Sequence, residues 1–358
     1  VTPLPGEEAS ASTATPQVWR RSVATGVGSM PGDDMAAACR AVLEALPDLP
    51  HQPELPSRGP GADLVSRAAV ALVDLPVDLE PAGWRLVARP GRAQREARDV
   101  ARRDLDVLTA VAAGLTGAFK LQLAGPWTLA AALERPRGGP ALADPGAVRD
   151  ITASLGEGVQ QLVAELRERL PGVDRVVVQL DEPGLPGVLA GTVPTASGFG
   201  VVAAVDEPAA VAGLATVLGA IRAAGAVPAL HCCAPRPPLA LAVAAGAQLL
   251  SFDVTLLTRA DDQPIGEAVE AGIRLLAGAV PVPLDQPGQP AAPPPTAAAV
   301  AARLRDWWRA MGLAVPLGEA VAVTPACGLA GATPDTAGQV LRTCREVARR
   351  LAEEDESA

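Results

Sequence analysis

The chain has no tyrosine, only three phenylalanines and five tryptophans among 358 residues, so its core has to be packed from Ala, Val and Leu. It has one lysine, Lys120, and two histidines, His51 and His231. Arginine carries the remaining basic charge, a usage that reads together with the Ala, Gly and Pro load as coding bias. Five cysteines in a chain of this length make an odd number. That is poor material for a disulfide framework and better read as reduced thiols, some of them on a metal. No uninterrupted apolar run of about 18 residues occurs, which excludes a spanning helix. No block of basic residues offsets the net charge of −10, so neither nucleic acid nor a membrane surface is an expected partner. The opening stretch, VTPLPGEEASASTATPQVWRRS, carries acids and lacks the apolar segment of a signal peptide. A disordered lead-in over residues 1–20 and a soluble, cytoplasmic protein are expected.

What is present is an alternation of short β-branched runs with long Ala/Leu/Arg segments of helical period, the pattern of βα units around a parallel sheet. Eight candidate strands follow: VATGVGS ending at Ser29, VALVDL near Asp74, AFKLQLAGP, DRVVVQLDEP, AVPALHCC, QLLSFDV, IRLLAGAVPV and AVAVTPACG. Helices are expected over 92–113, 145–170, 208–224, 296–311 and 333–352, the second opened by Asp144 as N-cap and Pro145 at the first helical position. The proline-rich VPVPLDQPGQPAAPPP is a loop. The predicted fold class is α/β, a (β/α)8 TIM barrel formed as one domain over 21–358. A doubly wound open sheet is the alternative. Ser29, Asp181, Glu182, His231, Cys233, Asp253 and Cys327 all fall at strand ends, which a barrel brings to one mouth.

In PALHCCAPRP, His231 and Cys233 stand two positions apart at a strand end. Alternate side chains share a face, so the pair can grip one ion while Cys232 points the other way. Asp253 in SFDVT and Cys327 in TPACGL complete a His/Cys/Asp/Cys set of the kind that holds zinc in a tetrahedron. Spacing alone leaves a second reading open, in which the cysteines are small buried hydrophobes. The acidic pair Asp181–Glu182 reads either as a solvated rim or as a contact for a cationic substrate group. Trp127 in AGPWTL reads as a stacking surface or as loop packing, and His51 is as readily incidental as functional.

Four motifs, TGVGSMPG, VQLDEPGLP, HCC followed by LLSFDV, and VTPACGL, occur in the order found in the catalytic barrel of cobalamin-independent methionine synthases, and from Thr25 to Gly328 the chain resembles that family. The resemblance implies a Zn2+ held by His231, Cys233, Asp253 and Cys327, with Asp253 standing where the family has Glu. It implies that Asp181, the catalytic residue of the set, and Glu54 meet the ammonium of homocysteine, while Gly28 and Ser29 hold its carboxylate. The implied reaction moves a methyl group to the homocysteine thiol and gives methionine. The donor is methyltetrahydrofolate, polyglutamylated in the family, or alternatively a methylcorrinoid protein, because 358 residues have room for one barrel where the full-length enzyme has two. Alkyl transfer to another small thiol, and a degenerate barrel with a non-catalytic zinc, are the competing readings.

Overall fold

The computed structural model describes residues 18–283 and 294–355. Most of the proline-rich loop, and the lead-in up to residue 17, lie outside the described residues. In chain order the helices are α1 Met35–Ala45, α2 Leu64–Ala71, α3 Arg92–Val111, α4 Pro126–Ala132, α5 Pro145–Arg169 and α6 Leu185–Ala190, followed by α7 Glu207–Ala223, α8 Leu239–Ala244, α9 Arg259–Glu270, α10 Ala297–Met311, α11 Leu317–Ala320 and α12 Pro334–Asp355. The strands are β1 Val77–Glu80, β2 Gly83–Leu86, β3 Gly117–Ala124, β4 Val173–Asp181, β5 Val227–His231, β6 Leu249–Asp253, β7 Arg274–Val280 and β8 Val321–Pro325.

β1 and β2 form an antiparallel hairpin, and β3 to β8 form a curled parallel sheet of six strands in sequential order. This is an α/β fold of half-barrel shape. The alternation hidden in the apolar strands decides its layering. Ala118, Val177, Val227, Ala229, Leu249, Leu276 and Ala322 meet one another on the concave face. Their neighbours, among them Phe119, Leu121, Val176, Val178, Leu250, Leu275 and Val323, pack under the helices. Val18 and Trp19, at the end of the expected lead-in, are buried in the concave cluster, and Arg274 covers the Trp19 ring at 5.6 Å.

Two segments continue the parallel pattern through isolated bridges. Ala24 pairs with Val323 of β8, Ser29 with Glu54, and His51 with Lys120 of β3. The first of them is the expected VATGVGS strand, reduced to single bridges. The expected VALVDL strand is not one. Asp63 accepts from the Ser66 amide at 2.9 Å and starts α2, which carries Val70 and Ala71 in its last turn. A good N-cap overrides a short β-branched run. The stretch that does pair with β3 is 50–54, where Pro50 and Pro53 remove two ladder donors and leave no regular strand.

Asp144 caps α5 as expected, its carboxylate accepting from the Gly146 and Ala147 amides. Thr296 caps α10 through the Ala299 amide.

Candidate active site

The C-terminal ends of the parallel strands place Asp181 beside His231, and His231 beside Ser251, in register. Cys233 follows β5 by two residues and Cys327 follows β8 by two, and their sulfurs lie 3.2 Å apart. That contact, in which either sulfur can donate, pulls Cys327 down to about 6 and pushes Cys233 well up, with burial adding to the rise. Cys232 points away as the alternation requires. It is buried, its amide bonds to the Ser251 carbonyl, and burial raises its thiol to about 11.

His231 is buried, and its Nδ1 lies 2.8 Å from Ser251 Oγ. Burial, then the charge of Lys120, pushes it down to about 3, so the imidazole is neutral. A neutral ring anchored through Nδ1 presents Nε2 as a ligand. Asp253 is turned elsewhere: its Oδ1 accepts from both the amide and the hydroxyl of Thr255 at 2.7 Å. Among the described residues no three His, Cys, Asp or Glu side chains are gathered closely enough to hold a metal ion. The structure therefore brings together two of the four expected ligands, Cys233 and Cys327. In kind, two adjacent thiols and a neutral imidazole fit a thiophilic divalent ion. Neither His231 nor Asp253 is gathered with the two sulfurs closely enough to make a third ligand.

The other expected residues converge on the same end of the sheet. Asp181 is buried, accepts from Gln179 Nε2 at 2.6 Å, and is raised well above the usual carboxylate range by burial, then by Glu54, with the charge of Cys327 a further contribution. Glu54 is buried and accepts from Arg67 Nε at 3.2 Å. Ser29 is half-buried and accepts the Leu329 amide at its carbonyl. Its hydroxyl lies against Gly328, where an added Cβ would stand 2.1 Å from Oγ. Gly28 is also closely met, a Cβ there falling 2.8 Å from Gln122. Both contacts tie the 28–29 turn to the neighbouring elements.

The remaining candidates separate cleanly. Glu182, next to Asp181, accepts from the Trp127 amide, the Thr128 amide and the Thr128 hydroxyl at 2.9, 2.8 and 2.6 Å, and so caps α4. Trp127 is buried and bonds to the Ala210 carbonyl at 3.0 Å, which is loop and helix packing. His51 is buried against Gly26 and held neutral by burial and by Lys120. Sequence reading missed Lys120, Gln122, Gln179 and Arg67. The signal was there for three of them: Lys120 with Gln122, and Gln179 with Asp181, recur at period two in otherwise apolar strands.

Residues 22–350 match the family model described as the cobalamin-independent synthase catalytic domain. The chain belongs to that family. A B12-independent methionine synthase from Shewanella sp. W3-18-1, solved in complex with selenomethionine, shares 13% identity over 94% of this chain and 100% of that one, at a TM-score of 0.58. A methylaspartate ammonia lyase from Clostridium tetanomorphum aligns at 10% identity over 96% of this chain and 62% of that one, with a TM-score of 0.46. No curated protein sequence matches the chain. Among the described residues no helix is long and apolar enough to cross a membrane.

Proposed function

We propose that the domain transfers a methyl group to the thiol of homocysteine, giving methionine, with methyltetrahydrofolate or a methylcorrinoid protein as donor. The observation that carries this reading is the meeting, at one sheet end, of the Cys233–Cys327 pair with the buried carboxylates Glu54 and Asp181 and the Ser29 turn. Thiol chemistry and amino-acid recognition thus share one site. In this reading the bridged segments 23–30 and 50–54 are the two irregular strands that complete an eight-stranded barrel around that site.

Cys233, Cys327 and His231 would hold a Zn2+, with Asp253 as fourth donor once it leaves Thr255. Bound zinc supplies the Lewis acidity that keeps a substrate thiol deprotonated and nucleophilic at neutral pH. Asp181 and Glu54 hold the substrate ammonium by charge-assisted hydrogen bonds, and Gly28 and Ser29 hold its carboxylate. Ser251 keeps the His231 ring in place. Fixing the amino-acid end aims the sulfur at the donor methyl. The S–CH3 bond forms as the donor N–CH3 bond breaks, and the folate nitrogen takes up the proton that the thiol has lost.

The test loads the protein with zinc and measures methionine formed from homocysteine with methyltetrahydrofolate carrying one or three glutamates, and with a methylcorrinoid. Native mass spectrometry is expected to show one zinc per chain, lost in Cys327→Ala. A metal-free wild type, or no methionine from any donor, overturns the reading. The engagement of Asp253 by Thr255 favours one second reading, a barrel whose metal is held but not catalytic. Zinc bound without turnover on a panel of small thiols is its signature.

A further inference from the structure

The single lysine of the chain is fully buried on the concave face of β3. A buried ammonium is strongly destabilising unless each of its three donors finds an acceptor. Lys120 finds three: the Val27 carbonyl at 2.8 Å, Gln179 Oε1 at 3.1 Å and Gln122 Oε1 at 3.3 Å. Each acceptor leads to a different part of the amino-acid end of the site. Val27 precedes the Gly28–Ser29 turn, and its carbonyl also accepts from Gln179 Nε2 at 3.0 Å. Gln179, with its oxygen turned to Lys120, offers Nε2 to Asp181 Oδ1 at 2.6 Å. Gln122, turned the same way, donates to the Gln52 carbonyl at 2.7 Å, two residues before Glu54.

Because an ammonium only donates, it dictates both amide orientations. Flipping either amide would set an NH2 group against NH3+. We propose that Lys120 is a positioning residue, the hub whose three hydrogen bonds set the spacing of the Gly28–Ser29 turn, Asp181 and Glu54 around the α-amino-acid end of the substrate. The charge works in the same direction, since the cation lies within electrostatic reach of both Glu54 and Asp181. The proposal rests on the reading that those residues hold the amino and carboxylate groups. Arginine, which serves at every other basic position except the two histidines, cannot replace this lysine, because a planar fork does not gather three acceptors around one nitrogen.

The experiment titrates L-methionine, and its analogue without the amino group, into the zinc-supplemented full chain by calorimetry, for wild type, Lys120→Met and Lys120→Arg. Both variants are expected to bind L-methionine about tenfold or more weakly, the scale of a lost charged hydrogen bond. Their preference for L-methionine over the des-amino analogue should fall with it. KM for homocysteine should rise by the same factor with kcat within about threefold, a split that a general loss of structure would not give. Retention of affinity and preference within about twofold in Lys120→Met overturns the proposal. Should Lys120→Met not fold, Gln179→Leu and Gln122→Leu each remove one arm. Weakened, less selective binding supports the hub, and wild-type behaviour in both overturns it. A wild type that folds but shows no preference for the amino-bearing ligand overturns the amino-acid reading of the site, and the hub with it, which distinguishes that failure from the previous one.

Discussion

Asp181 and Glu182 are adjacent carboxylates at the end of β4 with different partners, and under the proposed function their truncation should separate stability from activity. Removing the Glu182 side chain strips acceptors from the Trp127 and Thr128 amides and from the Thr128 hydroxyl, all buried. Two orphaned amides and the cavity beside α4 cost about 3–5 kcal/mol at pH 6. For a chain of this size, about 2.1 cal/mol/K of unfolding entropy per residue converts that into a melting point lowered by roughly 4–7 °C in Glu182→Ala. Burial pushes Glu182 up to about 7, with the Thr128 and Trp127 bonds opposing the rise. A carboxyl raised above its unfolded value of about 4.3 carries stability that is complete below that pH and is lost as the pH rises through about 7. The gap between wild type and Glu182→Ala should therefore narrow, by about 1 kcal/mol between pH 6 and pH 8. Asp181→Asn keeps an oxygen for Gln179 and removes a buried charge, so its stability should stay within about 1 kcal/mol of wild type. Its kcat/KM for homocysteine should fall about 100-fold through loss of the ammonium contact. Urea titrations at the two pH values and steady-state kinetics decide the matter. A Glu182→Ala that melts with wild type, or an Asp181→Asn that unfolds as readily as Glu182→Ala should, refutes this division of roles.

Two glycine substitutions probe the close contacts that hold the site together. Gly328→Ala drives a methyl to 2.1 Å from Ser29 Oγ and should raise KM for homocysteine about tenfold by turning that hydroxyl, with the urea midpoint barely moved. An unchanged KM would remove Ser29 from the substrate site. Gly26→Ala sends its Cβ to within 2.1 Å of the buried His51 ring, which has nowhere to retreat. It should cost about 3 kcal/mol in urea unfolding. A neutral effect would mean that the 23–30 segment is far looser against 50–54 than its bridges imply.

Much of the sheet was legible because strand and helix periods differ. The six apolar runs from AFKLQLAGP to AVAVTPACG became β3 to β8. Of the two segments that pair only through isolated bridges, 23–30 was expected as the strand VATGVGS while 50–54 was not expected as a strand, and backbone chemistry keeps both irregular. Gly26 and Gly28 occupy the first segment, and two prolines break the donor row of the second. The run VALVDL was expected as a strand, but Asp63 starts α2, whose last turn takes its first two residues, Val70 and Ala71.

In the site, spacing was informative wherever direction follows from alternation, and silent wherever it depends on a partner from another element. His231 and Cys233 on one face with Cys232 turned away is what strand alternation predicts, and Cys232 is buried. Nothing local distinguishes Asp181 from Glu182 as ligand and cap, because the amides that claim Glu182 belong to a helix more than fifty residues away. Asp253 shows the converse. Its partner Thr255 is two residues on, a short-range bond that Asp makes readily, so DVT already contained the competitor for the carboxylate that the ligand set needs. Under the proposed function, the choice between a four-donor and a three-donor zinc site turns on one local equilibrium. Thr255→Val removes the hydroxyl bond while leaving the backbone amide, and should tighten zinc binding severalfold if Asp253 closes on the metal. Equal affinity of the variant and wild type in a competition titration with a chelator would show that Asp253 stays with the loop and that His231, Cys233 and Cys327 hold the ion without it.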